Sequence, residues 1–272
     1  MTLRLKGAAC AVAIAAVACG SAIAAPAAAP VPQATVSADY SYLDTNVSHN
    51  INEFGGAISA VAPIGDGDFS VQGDGAYHYL TTSGVSLNDY AVGGSLTWRD
   101  GGMGRVGATV AYSGFQSNNS GAHVNLNFVS YGAYGEWFAS DAFTLGAKAG
   151  GASVSGGGGG IGFGNATLGY AGAELVGYAT PDVAISGTVD YLGGSGGNLT
   201  TAGAKVEWLV SRTTPISVYV GYNYDDLSGV TANIFTVGAK WYIGGGATSL
   251  VDHQRNGVDD WGTLPSARNV SF

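Results

Sequence analysis

The stretch YAVGGSLTWRDGGMGRVGATVAY, residues 90–112, decides the fold because it holds one complete strand-turn-strand unit. Large apolar side chains alternate with small or polar ones on both sides of a turn at residues 100–102, and only a β-strand places alternate residues on one face. Trp98 lies beside this turn, whereas Tyr90 and Tyr112 lie at the far ends. Aromatic residues at both ends of a strand are typical of the two interfaces of a bilayer. The stretch therefore predicts a hairpin that crosses a membrane.

The same unit recurs between Thr35 and Ile243. Alternating runs of about 9 to 13 residues match tilted strands across a hydrocarbon core of roughly 25–30 Å. Short turns separate them near residues 63–67, 140–141, 180–182 and 211–215. The strand count, about twelve, is even, as single-chain bacterial barrels require. The predicted fold class is all-β: a transmembrane antiparallel up-and-down β-barrel. A secreted β-sandwich is the alternative fold.

Polar or glycine-rich stretches predict the loops at the other end of the barrel. Residues 44–50 and 116–123 are polar, and residues 155–164 have the sequence SGGGGGIGFG. The glycine run lacks the lysine and the strand-to-helix context of a phosphate-binding loop. We therefore expect a flexible outer loop there.

The two ends of the chain are predicted to lie outside the barrel. Arg4 and Lys6 precede an apolar run and the small residues Ala-Ile-Ala at 22–24, a pattern typical of a secretory signal peptide. An uncleaved membrane anchor is disfavoured because the apolar run is too short and too rich in alanine to span. The expected organisation is a signal peptide over residues 1–24, a short linker over 25–34, the barrel over 35–243 and a solvated periplasmic tail over 244–272.

The composition supports a membrane barrel and argues against other classes. Charged residues make up only 11% of the chain, and glycine occurs 46 times, unlike an ordinary soluble domain. Both cysteines, Cys10 and Cys19, fall in the signal peptide, which leaves no thiol for a disulfide or a metal site. The formal charge is −9; an acidic chain argues against nucleic acid as a partner.

Inward positions of the predicted strands carry small side chains and most of the charges. A twelve-strand barrel has more interior than small side chains fill, so the sequence predicts a water-filled lumen whose charges set selectivity. The alternative is that opposite charges pair across the lumen and close it. The predicted lumen charges are Asp39, Asp74, His78, Arg99, Arg105, Glu136, Lys148, Glu174, Asp190, Lys205, Glu207, Asp225 and Lys240. Carboxylates are expected to dominate the outer half, at Asp39, Asp74, Asp190 and Asp225, which predicts a mild preference for cations.

Outward aromatic residues predict two girdles, one at each interface. Tryptophans are expected near the short turns: Trp98, Trp137, Trp208 and Trp241. Tyrosines are expected toward the other ends: Tyr40, Tyr79, Tyr90, Tyr112, Tyr131, Tyr191 and Tyr222.

With these features, residues 35–243 resemble a small Gram-negative outer-membrane β-barrel of the porin-like type. The resemblance is architectural. It implies an outer-membrane location, contact with outer-membrane lipid and lipopolysaccharide, insertion by the barrel assembly machinery, and passage of small solutes. Such proteins often end on a strand whose last residue is Phe. This chain ends in Phe272, but its last predicted strand ends near Ile243, so either position could carry the assembly signal.

The sequence shows no arrangement typical of catalysis. No partner stands at a telling spacing from the histidines: His49, His78, His123 and His253. Asp74 shares a strand face with His78, but residues i and i+4 are about 13 Å apart along a strand. Residues 252–260 resemble part of a calcium loop, yet Thr263 stands where the bidentate Glu belongs. We expect no enzyme activity, no cofactor and no bound metal.

The predicted function is passive diffusion of small hydrophilic solutes through the lumen. The alternative is a closed barrel with a structural or adhesion role, against which the short outer loops weigh. An autotransporter translocator is a third hypothesis, but the linker before the first strand is too short for a passenger or a plugging helix.

Overall fold

The computed structural model of the chain is a closed barrel of twelve antiparallel strands. It describes residues 32–46, 50–65, 68–82, 85–100, 102–119, 122–158, 161–194 and 197–260. The strands are β1 (Gln33–Thr45), β2 (Ile51–Ile64), β3 (Phe69–Thr82), β4 (Val85–Asp100), β5 (Gly104–Asn119), β6 (Ala122–Ser140), β7 (Phe143–Gly158), β8 (Ile161–Thr180), β9 (Val183–Gly194), β10 (Gly197–Ser211), β11 (Ile216–Leu227) and β12 (Val230–Gly244), followed by one helix, α1 (Leu250–Asn256). The predicted all-β up-and-down barrel is confirmed.

Pairing between the first and last strands closes the cylinder. β1 pairs with β12 from Gln33 opposite Gly244 to Thr45 opposite Ala232 without a register shift. Every other strand pairs with its sequence neighbours. No helix in the described part of the chain is long and apolar enough to cross a membrane. The predicted signal peptide, His49, Thr263 and Phe272 lie outside the described residues.

The two ends of the barrel differ in how far the strands extend, and the long strands β6 and β8 project at one of them. β1 begins and β12 ends at the same end, where turns of two to four residues also join the strands, for example at 102–103, 141–142 and 212–215. Bacterial barrels carry their longer excursions on the extracellular side and short turns on the periplasmic side, and β6 and β8 project at the end opposite to the start of β1 and the end of β12. We call the end where β1 begins the periplasmic end and the opposite one the outer end.

Strands extend further at the outer end than the sequence predicted. β6 and β8 contain 19 and 20 residues, so most of the loops expected at 116–123 and 155–164 belong to strands, and His123 lies in β6. That prediction was wrong because polar and glycine-rich segments carry no lipid-facing pattern. Their backbones still satisfy one another by pairing, as any sequence of peptide groups can.

The outer wall is apolar and has aromatic residues toward both ends. Valine, isoleucine and leucine side chains stand exposed on successive strands, among them Ile58, Val92, Leu96, Val110, Val206, Val220 and Val237. Exposed apolar surface on this scale needs a lipid partner. The tryptophans predicted for the girdle all point outward within a few residues of the periplasmic end: Trp98, Trp137, Trp208 and Trp241.

Tyrosines on the outer wall bond to asparagines of the next strand. Tyr40 donates to Asn52 at 2.6 Å and Tyr222 to Asn233 at 2.8 Å; Tyr77 and Tyr112 bond to Asn88 and Asn127 in the same way. Each asparagine lies on the outer-end side of its tyrosine. This repeated pair marks a level at which apolar side chains give way to polar ones.

The inner wall is polar in the middle and apolar toward both ends. Leu43, Leu80 and Ile234 form a buried cluster near the outer end with Ile51 and Ala232. A second cluster near the periplasmic end contains Val176, Tyr178, Ala184, Leu209, Tyr242 and, from the helix, Leu250. Charged side chains lie between these two clusters.

A charge placed on the lipid-facing wall should destabilise the barrel strongly. Val220 is 56% exposed near the middle of β11, and Val220→Arg is expected to lower the free energy of unfolding by about 2–4 kcal/mol. Urea titration in lipid vesicles measures it. The control is Met103→Arg, in a periplasmic turn, with an expected loss of about 0–1 kcal/mol. Equal effects at both positions would contradict the assignment of the lipid face.

Candidate functional site

The chain folds back into the barrel after β12. Gly244, Gly245 and Gly246 have φ values of 81°, 80° and 60°, a left-handed conformation that favours glycine. Ser249 then caps α1, its hydroxyl accepting from the amide of Asp252 at 3.2 Å. Residues 249–260, which we call the plug, lie inside the periplasmic end of the lumen.

The predicted solvated tail is therefore wrong for its described part. Leu250 is 0% exposed, His253 1% and Asp259 2%. Two local signals in the sequence point to this turn and helix: three consecutive glycines and the Ser-x-x-Asp capping pattern before a helix start. They indicate a helix but not its place in the lumen.

Two glutamine side chains of the barrel hold the plug backbone. The Gln33 Oε1 atom accepts from the amide of Val258 at 3.0 Å. Gln72 forms a two-way pair with Asp259, donating to its carbonyl at 2.8 Å and accepting from its amide at 2.9 Å. Buried peptide groups without a partner would be costly. These side chains therefore replace the water that the plug loses on docking.

Basic residues of the barrel wall form ion pairs and hydrogen bonds with the acidic and carbonyl groups of the plug. Arg105 donates to both oxygens of Glu136 at 2.9 Å, and its Nη2 lies 3.6 Å from Asp259. Lys240 forms an ion pair with Asp260 and lies 3.9 Å from Glu207. Because Arg105, Lys240 and their wall partners are buried, removing one member of a pair would leave the other uncompensated. The plug thus supplies part of the charge balance of the lumen.

Arg255 fastens α1 to the turn between β6 and β7. Its guanidinium donates to the carbonyls of Ser140 at 2.6 Å and Phe143 at 3.0 Å. It also lies 5.0 Å from the centre of the Phe138 ring and 5.2 Å from that of Tyr178. The cation therefore has both carbonyl and ring partners at the rim of the barrel.

His253 contributes a buried imidazole to the contacts between the plug and the barrel wall. Its ring stacks on Tyr242 at 4.2 Å between centroids. Because the oxygen of Gln33 accepts from Val258, its amino group faces His253 Nδ1, 2.5 Å away, and that nitrogen must accept. Burial lowers the pKa of His253 to about 4, although Asp252 and Glu207 act in the opposite direction. The docked plug therefore holds a neutral imidazole.

The calcium-loop alternative for residues 252–260 is wrong. The residues form a helix and its exit, and their polar side chains reach separate parts of the wall. Asn256 accepts from Arg99 at 3.2 Å, Gln254 donates to Glu207 at 3.3 Å, and Asp260 contacts Lys240. These oxygens do not converge on one point.

Beyond the plug, the middle of the lumen contains a cavity of about 240 Å³. Its lining is mainly polar and charged, including Glu174, Asp190 and Lys205 from the wall and Asp259 from the plug. Ion pairs between neighbouring wall residues border it, with Lys148 at 3.0 Å from Asp190. The cavity is bounded by the plug on its periplasmic side.

The structure places every predicted lumen charge on the inner wall. Asp74 does not lie with the outer carboxylates as predicted; it accepts from Gln72 at 2.8 Å, beside the plug. Sequence reasoning missed Glu53 and Asp89, which are inward and only 3% and 5% exposed. Extending the alternation of β2 and β4 by one or two residues would have found both.

His78 has partners that the sequence did not reveal. Its Nε2 lies 3.8 Å from an oxygen of Asp39 on β1 and 3.8 Å from an oxygen of Glu53 on β2. The acidic partners of His78 therefore lie on neighbouring strands and not at Asp74 on its own strand. Neighbouring strands bring these three groups together.

Comparison with known proteins gives the class of this fold. No protein-family model and no curated protein sequence matches the chain. The barrel is similar to the translocator domain of autotransporter NalP from Neisseria meningitidis, with a TM-score of 0.52 and 12% identity, covering 79% of this chain and 88% of that one. It is also similar to the COG4313 outer membrane channel from Pseudomonas putida F1, with a TM-score of 0.52 and 11% identity over 83% of this chain and 98% of that one.

A third similar structure is the beta domain of the Bordetella autotransporter Brka, with a TM-score of 0.51 and 12% identity, covering 78% of this chain and 99% of that one. The fold is that of a Gram-negative outer-membrane β-barrel. These structural relatives are channels and autotransporter transport barrels rather than enzymes.

Acid should loosen the plug through His253. A docked pKa of about 4 against an ordinary 6.5 means that the undocked state binds the proton more tightly. The contribution of neutral His253 to the stability of the docked plug is therefore complete above pH 6.5, and it is lost as the pH falls toward 4. Hydrogen exchange of the α1 amides, corrected for intrinsic rates, should show roughly 10- to 100-fold less protection at pH 4.5 than at pH 7. The variant His253→Gln should remove this pH dependence; its persistence would assign the effect to another group.

A side chain at Gly257 should displace the plug. A Cβ there would lie 1.3 Å from Gln33 Oε1 and 2.5 Å from the His253 carbonyl oxygen. With an overpacking cost of about 1–3 kcal/mol, Gly257→Ala should raise the rate of trypsin cleavage at Arg255 roughly 5- to 150-fold. Gly73→Ala adds the same methyl group where nothing lies within 4 Å and should leave the rate unchanged. Equal rates in the two variants would argue against the close packing of the plug.

Proposed function

We propose that the barrel is a porin-like channel for the passive diffusion of small hydrophilic solutes, and that the plug limits its conductance. The observation that carries the proposal is the charged cavity of about 240 Å³ in the middle of the lumen. A barrel with a purely structural role can fill its interior with side chains. Here most wall residues around the cavity are small, polar or charged, and they leave room for water.

The size of the cavity supports small solutes. Pockets for drug-sized ligands measure roughly 300–1,000 Å³, and this cavity is smaller. The apolar cluster of Leu43, Leu80 and Ile234 narrows the outer side of the lumen, and the plug occupies the periplasmic side. Passage of anything larger than a small polar molecule would require both to move.

The charges of the inner wall support a preference for cations. Glu53 and Asp89 add two buried carboxylates to the predicted set, and the plug contributes Asp259 and Asp260. Basic residues are held mainly in ion pairs, as Arg105 is with Glu136. A lumen with an excess of carboxylates favours cations.

A closed structural barrel is the second candidate. The observation in its favour is the plug, whose backbone and side chains are matched to the wall at Gln33, Gln72, Arg105 and Lys240. So complete a fit could serve as a permanent seal. In that case the cavity would hold only enclosed water.

We also propose the setting in which the barrel acts. The N-terminal sequence supports export with cleavage of residues 1–24, and the apolar outer wall supports contact with outer-membrane lipid and lipopolysaccharide. The architecture also supports insertion by the barrel assembly machinery. We propose no catalytic role, in line with the sequence, which shows no arrangement typical of catalysis.

Single-channel recording of the refolded mature chain in planar bilayers tests the proposal. The complete chain should give small, cation-preferring conductance, and deletion of residues 245–272 should raise the conductance severalfold because it removes the plug. The matched control deletes only residues 261–272, which keeps the plug, and should resemble the complete chain. Absence of conductance even in the plug-deleted barrel would favour the structural role, and anion preference would overturn the proposed selectivity.

A further inference from the structure

Three ionisable side chains from three neighbouring strands converge on the inner wall. Asp39 on β1, Glu53 on β2 and His78 on β3 each offer one ligand atom, and these atoms all lie within 4.8 Å of one another. We propose that they bind one divalent transition-metal cation of the Zn²⁺ type. This site is independent of whether the barrel conducts solutes. It also revises the sequence-based expectation of no metal.

The strand register explains why the three side chains meet. Asp39 lies opposite Gly55 on β2, and Gly55 lies opposite His78 on β3. The three positions therefore form one row across the wall. Glu53 is two residues from Gly55 and points to the same side. The cluster is thus fixed by backbone pairing rather than by a flexible loop.

Glycine in the middle of this row gives the imidazole its position. A Cβ on Gly55 would lie 1.8 Å from His78 Cδ2 and 2.4 Å from Nε2. The ring therefore occupies the space that any other residue at position 55 would fill. Lying across β2, it directs Nε2 toward the carboxylates of Asp39 and Glu53. Close approach of this kind is a use to which glycine is suited.

The spacing suits metal ligands better than direct hydrogen bonds. His78 Nε2 is 3.8 Å from each carboxylate oxygen, beyond the roughly 2.7–3.2 Å of an N–H···O bond. Ligands at about 2.0–2.2 Å from a tetrahedral Zn²⁺ are about 3.4 Å apart. Small side-chain rotations of Asp39 and Glu53 would bring the three atoms to that separation.

The donor set and its charge favour a borderline divalent ion. One imidazole nitrogen and two carboxylate oxygens suit Zn²⁺ or a similar first-row cation, whereas Ca²⁺ and Mg²⁺ prefer oxygen alone. The side chains of Asp39 and Glu53 are 3% and 4% exposed, and buried carboxylates are stabilised by pairing or by coordinating a metal. A divalent cation would bind both carboxylates together with the imidazole nitrogen.

Asp89 adds a further buried carboxylate beside the strand that carries His78. It lies directly opposite His78 in the pairing of β3 with β4 and is 5% exposed. Its negative charge would add to the attraction for a cation.

The site borders the lumen on one side. Glu53 lines the central cavity together with its neighbour on β1, Ser41, so an ion can reach the cluster through water. Three protein ligands leave one position of a tetrahedral ion for water or for a polar solute. The geometry is therefore that of an open site rather than of a closed structural one.

Calorimetric titration of the refolded, metal-free mature chain with ZnCl₂ tests the proposal, using protein without a polyhistidine tag. We expect about one equivalent to bind, with excess Mg²⁺ failing to displace it. The variant His78→Gln should weaken binding by more than the roughly 10- to 100-fold that loss of an outer partner costs. Gly55→Ala, which keeps all three ligands but displaces the ring, should also weaken it.

With Cu²⁺ as the probe, electron paramagnetic resonance should show coordinated nitrogen, and this signal should be lost in His78→Gln.

Two control variants separate this site from general attraction to an acidic lumen. Glu174→Gln removes a carboxylate that lines the same cavity outside the cluster, and His253→Gln removes the imidazole of the plug; both should bind as the unaltered chain does. Each variant is first shown to fold by its β spectrum and its heat-modifiable migration. If His78→Gln does not fold, Asp39→Asn and Glu53→Gln carry the test. No binding by the unaltered chain, undiminished binding by the cluster variants, or equal loss in Glu174→Gln would overturn the site.

Discussion

The hydrogen-bonding demand of the peptide backbone in a hydrocarbon solvent governs this structure. Lipid offers no partner to an N–H or C=O group, so each must bond within the protein, and the pairing of β1 with β12 satisfies the two strands that would otherwise be edges. Once the cylinder is closed, each strand side chain faces either the lipid outside or the lumen inside. A chain with only 11% charged residues can therefore concentrate them on the inside without weakening its contact with lipid.

The inner wall solves the opposite problem, because it must hold charges close together away from bulk water. Arg105 lies between Glu136 of the wall and Asp259 of the plug, and Lys240 lies between Glu207 and Asp260. Barrel and plug are thus electrostatically incomplete without each other, since an ion left alone in a buried setting costs far more than the pair gains. The cluster at His78 is a different arrangement, in which two carboxylates and an imidazole from three neighbouring strands lie within 4.8 Å of one another.

The alternation of apolar and polar residues within single strands was enough to predict most of the fold, because every second residue of a strand contacts lipid. It placed Trp98 and Val110 outward and Arg105 inward from a single hairpin. Alternation could not predict that the plug lies in the lumen. Gln33 and Val258, which hold it there, are 225 residues apart in the sequence, and no local pattern links them. The cluster at His78 depends on the register between strands, which the alternation within any one strand leaves undetermined. Strand lengths at the outer end were missed because residues in water need no apolar face.

The position of Gln33 has a consequence for the order of events in biogenesis. It is the first residue of β1, at the seam where the cylinder closes, and it holds both His253 and Val258. The docking surface for the C-terminal segment is complete only after that seam has zipped. Closure of the cylinder and docking of the C-terminal segment are therefore coupled, because both depend on the position of the same residue.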